Sequence, residues 1–246
     1  MSKLPTSRID RLLGSMGYGT RGDIARIARM GRVTLDGVKL RDATARVTIT
    51  PDFTARMMVD GQPLDPLEGM VILMHKPLDM TCSHQEQGKL VYDLLPERWR
   101  NRTPAISSVG RLDKQTSGLL LLTDDGALLH RVISPKARVE KTYRATLARP
   151  LSGDEGAIFA AGTLMLDGEK TPLLPATLEV ISDTEARLTV VEGRYHQVRR
   201  MFAAVGNHVE TLHRSRLGGL TLADDMAPGD WTVLDQDAVA KIFETV

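Results

Sequence analysis

The sequence predicts an α+β chain: a small N-terminal helix-turn-helix and hairpin module, then a larger body built on a mostly antiparallel mixed sheet flanked by helices. Three observations carry this. Most strand-like runs are joined by short turns, so they pair as hairpins, and only a few amphipathic helical stripes lie between them. The 246 residues suffice for one large domain or two smaller ones. Charge is divided unevenly: residues 1–61 hold eleven Lys/Arg against six Asp/Glu, a net +5, while the remainder is −4. A basic module on a mildly acidic body suggests a polyanionic partner at that end.

Within residues 1–61, Ile9, Leu12, Leu13 and Met16 recur at helical spacing, and so do Ile24, Ile27 and Ala28. Gly17 and Gly19 separate the two helices. "VTLDGVKL" alternates around Asp36-Gly37, a hairpin signal, and a second pair, Asp60-Gly61, closes the module. Residues 62–69, with two prolines and a glycine, read as a linker to a body over 70–246. "MVILMHKP" opens that body as a buried strand. A short helix is expected near Val91–Leu95, and Gly118 to Thr123 reads as a fully buried strand. "DDGALLHRVIS" reads as a helix capped by Asp124 or Asp125. "EKTYRATL" alternates as a strand, and "PATLEVIS" with "ARLTVVEG" reads as an antiparallel pair across Asp183-Thr184. Val198, Met201, Phe202 and Val205 make one apolar helical stripe ended by Gly206, and "VETLHRSRLGGLTL" is strand-like.

The single cysteine, Cys82, excludes an internal disulfide and a cysteine-built zinc cage, and points to a reducing, cytoplasmic setting. The first residues contain no apolar signal-peptide core, and no apolar run approaches membrane-spanning length, so no membrane partner is expected. No Gly-x-Ser-x-Gly elbow, P-loop or His-Glu-x-x-His motif occurs. The histidines lack a metal spacing and read as satisfied structural residues, and no paired carboxylates stand out as in a glycosidase.

Chemistry concentrates in three places. Asp113 in "GRLDKQTSGLLLLTDDG" sits at the foot of a four-leucine run, either as a turn residue or as a reacting carboxylate. "EGRYHQVRRM" packs Arg194, His196, Arg199 and Arg200 at the start of an amphipathic helix, either as a solvated face or as a clamp on phosphates and bases. Tyr143 in "KTYRATL" is either a core tyrosine or a stacking platform for a base. In the N-terminal module, Arg8, Arg21, Arg26 and Arg29 are dense enough to track phosphates.

"VGRLDKQTSGLLLLTDDG", "SPKARVEKTYRATL" and "EGRYHQVRRMFAAVGNHVETLHRSRLGGLTL" closely resemble the RsuA-type family of ribosomal pseudouridine synthases, and the N-terminal module resembles the small RNA-binding domain of the ribosomal-protein-S-four type. The resemblance spans nearly the whole chain and is nearest to the branch acting on small-subunit 16S rRNA. It implies a pseudouridine-synthase catalytic domain that isomerises a uridine within RNA, with no cofactor and no metal. It places the catalytic aspartate on Asp113, the base-stacking tyrosine on Tyr143, and the basic partner of the aspartate on Arg199. Arg111, beside Asp113, is expected to contact substrate, and Arg8, Arg21, Arg26, Arg29, Arg194 and Arg200 to contact RNA. An apolar surround disfavours a charged carboxylate, and a partner such as Arg199 offsets that. The expected partner is rRNA or an assembling small subunit, with the enzyme acting as a monomer; the alternatives are action on 23S rRNA or a non-catalytic role in ribosome assembly. One stretch departs from the family: where it usually has "NKPxGxxCS", this chain has "HKPLDMTCS", with His75 for Asn and Asp79 for Gly. An Asp there implies a backbone that does not require positive φ.

Overall fold

Both N-terminal Asp-Gly pairs make the turns their residues favour. Asp36 and Gly37 have φ of 52° and 78°, Asp60 and Gly61 φ of 55° and 74°, so each pair takes the left-handed conformation that matches the twist of a two-residue hairpin. In this computed structural model, which describes residues 4–245, the first hairpin joins Val33–Leu35 to Val38–Lys39 and the second joins Met57–Val59 to Gln62–Pro63. The segment expected as a linker therefore begins as a strand, and Leu64 is buried in the core of the first unit. Two helices precede these hairpins, Ile9–Ser15 and Arg21–Arg29. The second starts in a capping box, in which Thr20 Oγ1 accepts from the Asp23 N–H while Asp23 accepts from the Thr20 N–H. Ile9, Leu13, Ile24, Ala28, Val33, Phe53 and Met57 fill the space between helices and sheet.

The chain forms two compact units that are not consecutive in sequence. The first comprises Met1–Met70 with Leu95–Ser107, the second Val71–Leu94 with Ser108–Val246. The 95–107 excursion is bound into the first unit by specific contacts. The Thr103 N–H donates to the Ser15 carbonyl at 2.8 Å, and Arg98 stacks 4.4 Å above the Tyr18 ring while holding Asp65 with two bonds of 2.6 and 2.8 Å. Gly17, at φ +85°, permits this approach, since a Cβ there would lie 2.2 Å from the Arg98 carbonyl oxygen.

The second unit is one mixed sheet. Its strand order is Thr177–Ser182, Glu185–Val190, Lys141–Leu147, Val209–Leu217, Thr116–Thr123, Val71–Lys76 and Trp231–Val233, with all neighbours antiparallel except Val209–Leu217 against Thr116–Thr123. Leu119 to Leu122 are fully buried because this strand is covered on both faces. At the one parallel junction Arg214 registers with Gly118, whose φ is +111°. A Cβ on Gly118 would come within 2.3 Å of the Arg214 carbonyl oxygen, so only glycine lets the two strands meet there. Helices Gly126–Ile133 and Gln197–Ala204 cover the sheet, the first capped by Asp125, which accepts from the N–H groups of Ala127 and Leu128. Apolar clusters result, among them one around Ala145, Leu188, Met201 and Phe202 and another around Leu73, Leu119, Leu121 and Val132. Helix Glu155–Ala160 and strand Trp231–Val233 had no clear signal in the sequence. Among the described residues no helix is long and apolar enough to cross a membrane.

Candidate active site

A cavity of about 190 Å³ opens between these two apolar clusters of the second unit. Val190, Val198 and Leu212 line it from one cluster, Val109, Val132 and Leu217 from the other. Asp113 stands at its wall, and Tyr143, Lys141 and Arg214 complete the lining with Arg111 and His196. Tyr143 and Arg214 are register partners on adjacent strands, so both project from the same face of the sheet.

The loop bearing Asp113 is held at every carbonyl from Leu112 to Thr116. Cys82 Sγ donates to Leu112 O at 3.5 Å, the Thr116 N–H to Asp113 O at 3.0 Å, and the Asp79 N–H to Lys114 O at 2.9 Å. Arg199 Nη2 donates to Gln115 O at 2.8 Å, and Lys76 Nζ to Thr116 O at 2.9 Å. Lys76 is fully buried, and burial pushes its ammonium below the usual lysine range. Its Nζ also donates to Pro77 O at 2.9 Å. These bonds leave the Asp113 carboxylate to face the cavity, where His196 Nε2 lies 3.3 Å from Oδ1. His196 reaches it from a left-handed residue, φ 47°, that precedes the Gln197–Ala204 helix, and its ring stacks on Tyr195 with centroids 3.9 Å apart.

Around the carboxylate the polar groups are mostly cationic. Burial, helped by the charge of Arg214 and opposed by Glu192, pushes the Lys141 ammonium down to about 8. Arg214 is 2% exposed and donates from Nε to Leu119 O at 2.7 Å. Such a site can take a flat, uncharged ring into a partly enclosed space and put a carboxylate and several cations against it.

Three comparisons bear on this geometry. The family described as RNA pseudouridylate synthase matches residues 70–204, more than half of the chain and the segment that carries Asp113, Tyr143, His196 and Arg199. The chain belongs to the RNA pseudouridylate synthase family. It is 41% identical over 96% of its length, and 99% of the relative's, to the ribosomal small subunit pseudouridine synthase A of Escherichia coli. It is 40% identical over 96% of its length, and 100% of the relative's, to the protein of the same name in Vibrio cholerae serotype O1. A crystal structure of a pseudouridylate synthase superposes with a TM-score of 0.67 at 35% identity, covering 96% of this chain and 99% of that one. The enzyme class and the mixed-sheet fold expected from the sequence are those of the family.

The structure redistributes the arginines. Arg199, expected beside Asp113, instead spends its guanidinium on two backbone carbonyls, Gln115 O and Val209 O, each at 2.8 Å. It fixes the loop that presents the carboxylate, and the side chain in contact with Asp113 is the imidazole of His196, from the same Arg194–Arg200 run. Arg194, expected to contact RNA, is bound by Glu169, Glu192, Thr171 O and Pro172 O. Arg200, expected likewise, is bound by Glu169, Tyr195 O and Asp167 O. Neither keeps more than a minority of its donors for phosphate. Arg111 is exposed at the mouth and pairs with Glu86 at 2.9 Å. Asp79, expected outside the left-handed region, has φ 63°, and its carboxylate accepts from Gln115 Nε2 at 2.7 Å. Asp tolerates this conformation when its side chain finds a local donor, so the loop keeps the shape a glycine would give.

The Lys141 shift yields a stability test. The unfolded chain holds this proton up to about 10.5, the folded chain only to about 8. Between those values the unfolded state binds more protons, so this group makes stability rise with pH across the window. Lys141→Met is expected to flatten that rise, as measured by urea midpoints from pH 7.5 to 10.5.

Proposed function

We propose that this chain isomerises a specific uridine of 16S rRNA to pseudouridine, with Asp113 as the reacting carboxylate. One observation carries the reading: the family's matching segment folds so that a carboxylate on a fully anchored loop faces a cavity of about 190 Å³ lined by Tyr143 and cations. The small-subunit target is supported by the relatives named above, which match over nearly their whole length.

The chemistry follows from the geometry. A uridine must leave its stack to reach a carboxylate on the wall of a cavity, at a cost of a few kcal/mol. In the cavity the Tyr143 ring holds the uracil by stacking, and Asp113 acts on the ribose, as nucleophile at C1′ or as base on a ribose proton. The apolar walls keep water from the detached base, so rotation and rejoining through carbon outrun loss or hydrolysis. Arg111 at the mouth meets the flanking backbone. His196 and Arg199 position the carboxylate, the first by contact and the second by holding the next carbonyl but one.

The first unit supplies affinity. Arg21, Arg26 and Arg29 are exposed along one short helix. Arg26 shares Asp23 at 3.1 Å, and Arg8 is bound to Asp10 at 2.6 and 3.1 Å. The three helix arginines therefore do most of the phosphate tracking, with Arg8 a weaker contributor.

Two outcomes are expected. In cells lacking the gene, one pseudouridine disappears from 16S rRNA; the wild-type gene restores it, and Asp113→Asn does not, its single-turnover rate being lower by about 10³-fold or more. Restoration by Asp113→Asn, or a full set of 16S pseudouridines in the deletion strain, contradicts the reading. Replacing Arg21, Arg26 and Arg29 together by Gln reduces the slope of log K against log salt by about 2, given ~0.7 to 0.9 per phosphate contact. An unchanged slope places the RNA anchor elsewhere.

A further inference from the structure

Arg214 is the one cation in the cavity lining that is both buried and short of partners. Its Nε bond to Leu119 O fixes the plane of the guanidinium, yet Nη2 is closed to solvent and has no hydrogen-bond partner. Arg214 has no ion pair among the described residues. Thr116 Oγ1, in the same lining, is likewise buried without a partner. A buried donor left unsatisfied carries its full desolvation penalty, larger when the group is charged. The strand is nonetheless built to keep it: Gly118 gives up its side chain so that the Arg214 backbone can lie against it. The other terminal nitrogen, Nη1, also makes no hydrogen bond among the described residues and is not closed to solvent, so it is the donor that Arg214, as part of the lining, offers to what the cavity takes in.

We infer that Arg214 is a catalytic residue that binds a ring carbonyl oxygen of the target base and holds the negative charge of uracil once it has left the ribose. The inference rests on the proposed function. When the C1′–N1 bond breaks, its electron pair goes to N1 and is shared with O2 and O4, so charge appears on the oxygens at the base's rim. When C5 rejoins C1′, that carbon loses a proton and N1 gains one, and no oxidant or reductant enters. Arg214 is cross-strand partner to Tyr143, the platform for the same ring, so a stacked uracil lies beside the guanidinium. A donor already fixed where charge develops lowers the barrier without reorganisation at the moment of reaction. The lowered Lys141 ammonium agrees with this geometry, since after burial the charge of Arg214 is one of its causes.

The test compares leaving groups under single-turnover conditions. Arg214→Met and Arg214→Lys are assayed on an rRNA fragment carrying uridine at the target and on the same fragment carrying 5-fluorouridine, following loss of the N-linked nucleoside. Fluorine stabilises the base anion, so it makes the arginine less necessary. Arg214→Met is expected to be slower by about 100-fold on uridine but only about 10-fold on 5-fluorouridine, with RNA binding changed less than about 3-fold. Arg214→Lys, which keeps the charge, should lose less on uridine and show the same narrowing; it decides the matter if the methionine variant does not fold. Equal losses on the two bases, or rates equal to wild type, overturn the assignment. A wild-type protein inactive on uridine overturns the proposed function, so the two failures are distinct.

Discussion

Everything at this site depends on the backbone of residues 112–116 being held still. Each of its five carbonyls accepts a hydrogen bond, and four of the donors come from distant positions: Lys76, Asp79, Cys82 and Arg199. Ordering a residue costs about 1–2 kcal/mol of chain entropy, so a five-residue loop on the rim of a cavity would otherwise sample many positions. The bonds that offset this cost lie behind the loop and leave the carboxylate of Asp113 free on the cavity side. A group that must reach one carbon of an everted nucleotide gains from such fixing, because misplacement by an ångström costs orders of magnitude in rate.

The second constraint is electrical. The cavity is walled by Val, Leu and Ile side chains, and Lys141 and Arg214 lie within it without a carboxylate partner in the described contacts. Lys141 responds by giving up its proton more readily, whereas an arginine remains charged. Glu192, which lines the cavity and offsets part of the Lys141 shift, is itself bound by Arg194, Gln197 and the Leu174 N–H. Arg194 thus acts on the site by keeping Glu192 in place, even though it does not present its charge to solvent.

Local signals in the sequence were read correctly, and long-range ones were not. The Asp-Gly turns, the Asp125 cap, the all-apolar strand Leu119–Leu122 and the helical stripe through Val198, Met201 and Phe202 depend on residues close together in the chain, and the structure contains them all. The partners of Arg194, Arg199 and Arg200 could not be read because a run of cations looks alike whether it is solvated or bound. What decides is the position of acids and carbonyls many residues away, such as Glu169 against Arg194 and Arg200, and Gln115 O against Arg199. The contact of His196 with Asp113 was illegible for the same reason, since it is created by the fold and by the left-handed backbone at His196. The 95–107 excursion into the first unit follows from tertiary contacts at Gly17, Tyr18 and Asp65, which leave no trace in local periodicity.

The most direct measurement is a crystal structure of the Asp113→Asn protein bound to a 16S rRNA fragment containing the target uridine. The expected result is an everted nucleotide with its uracil stacked on Tyr143, one ring carbonyl against Arg214, and C1′ within about 3.5 Å of the side chain at position 113. A uracil that remains stacked in the RNA, or that lies outside this cavity with the residue 113 side chain far from any ribose, contradicts the central claim.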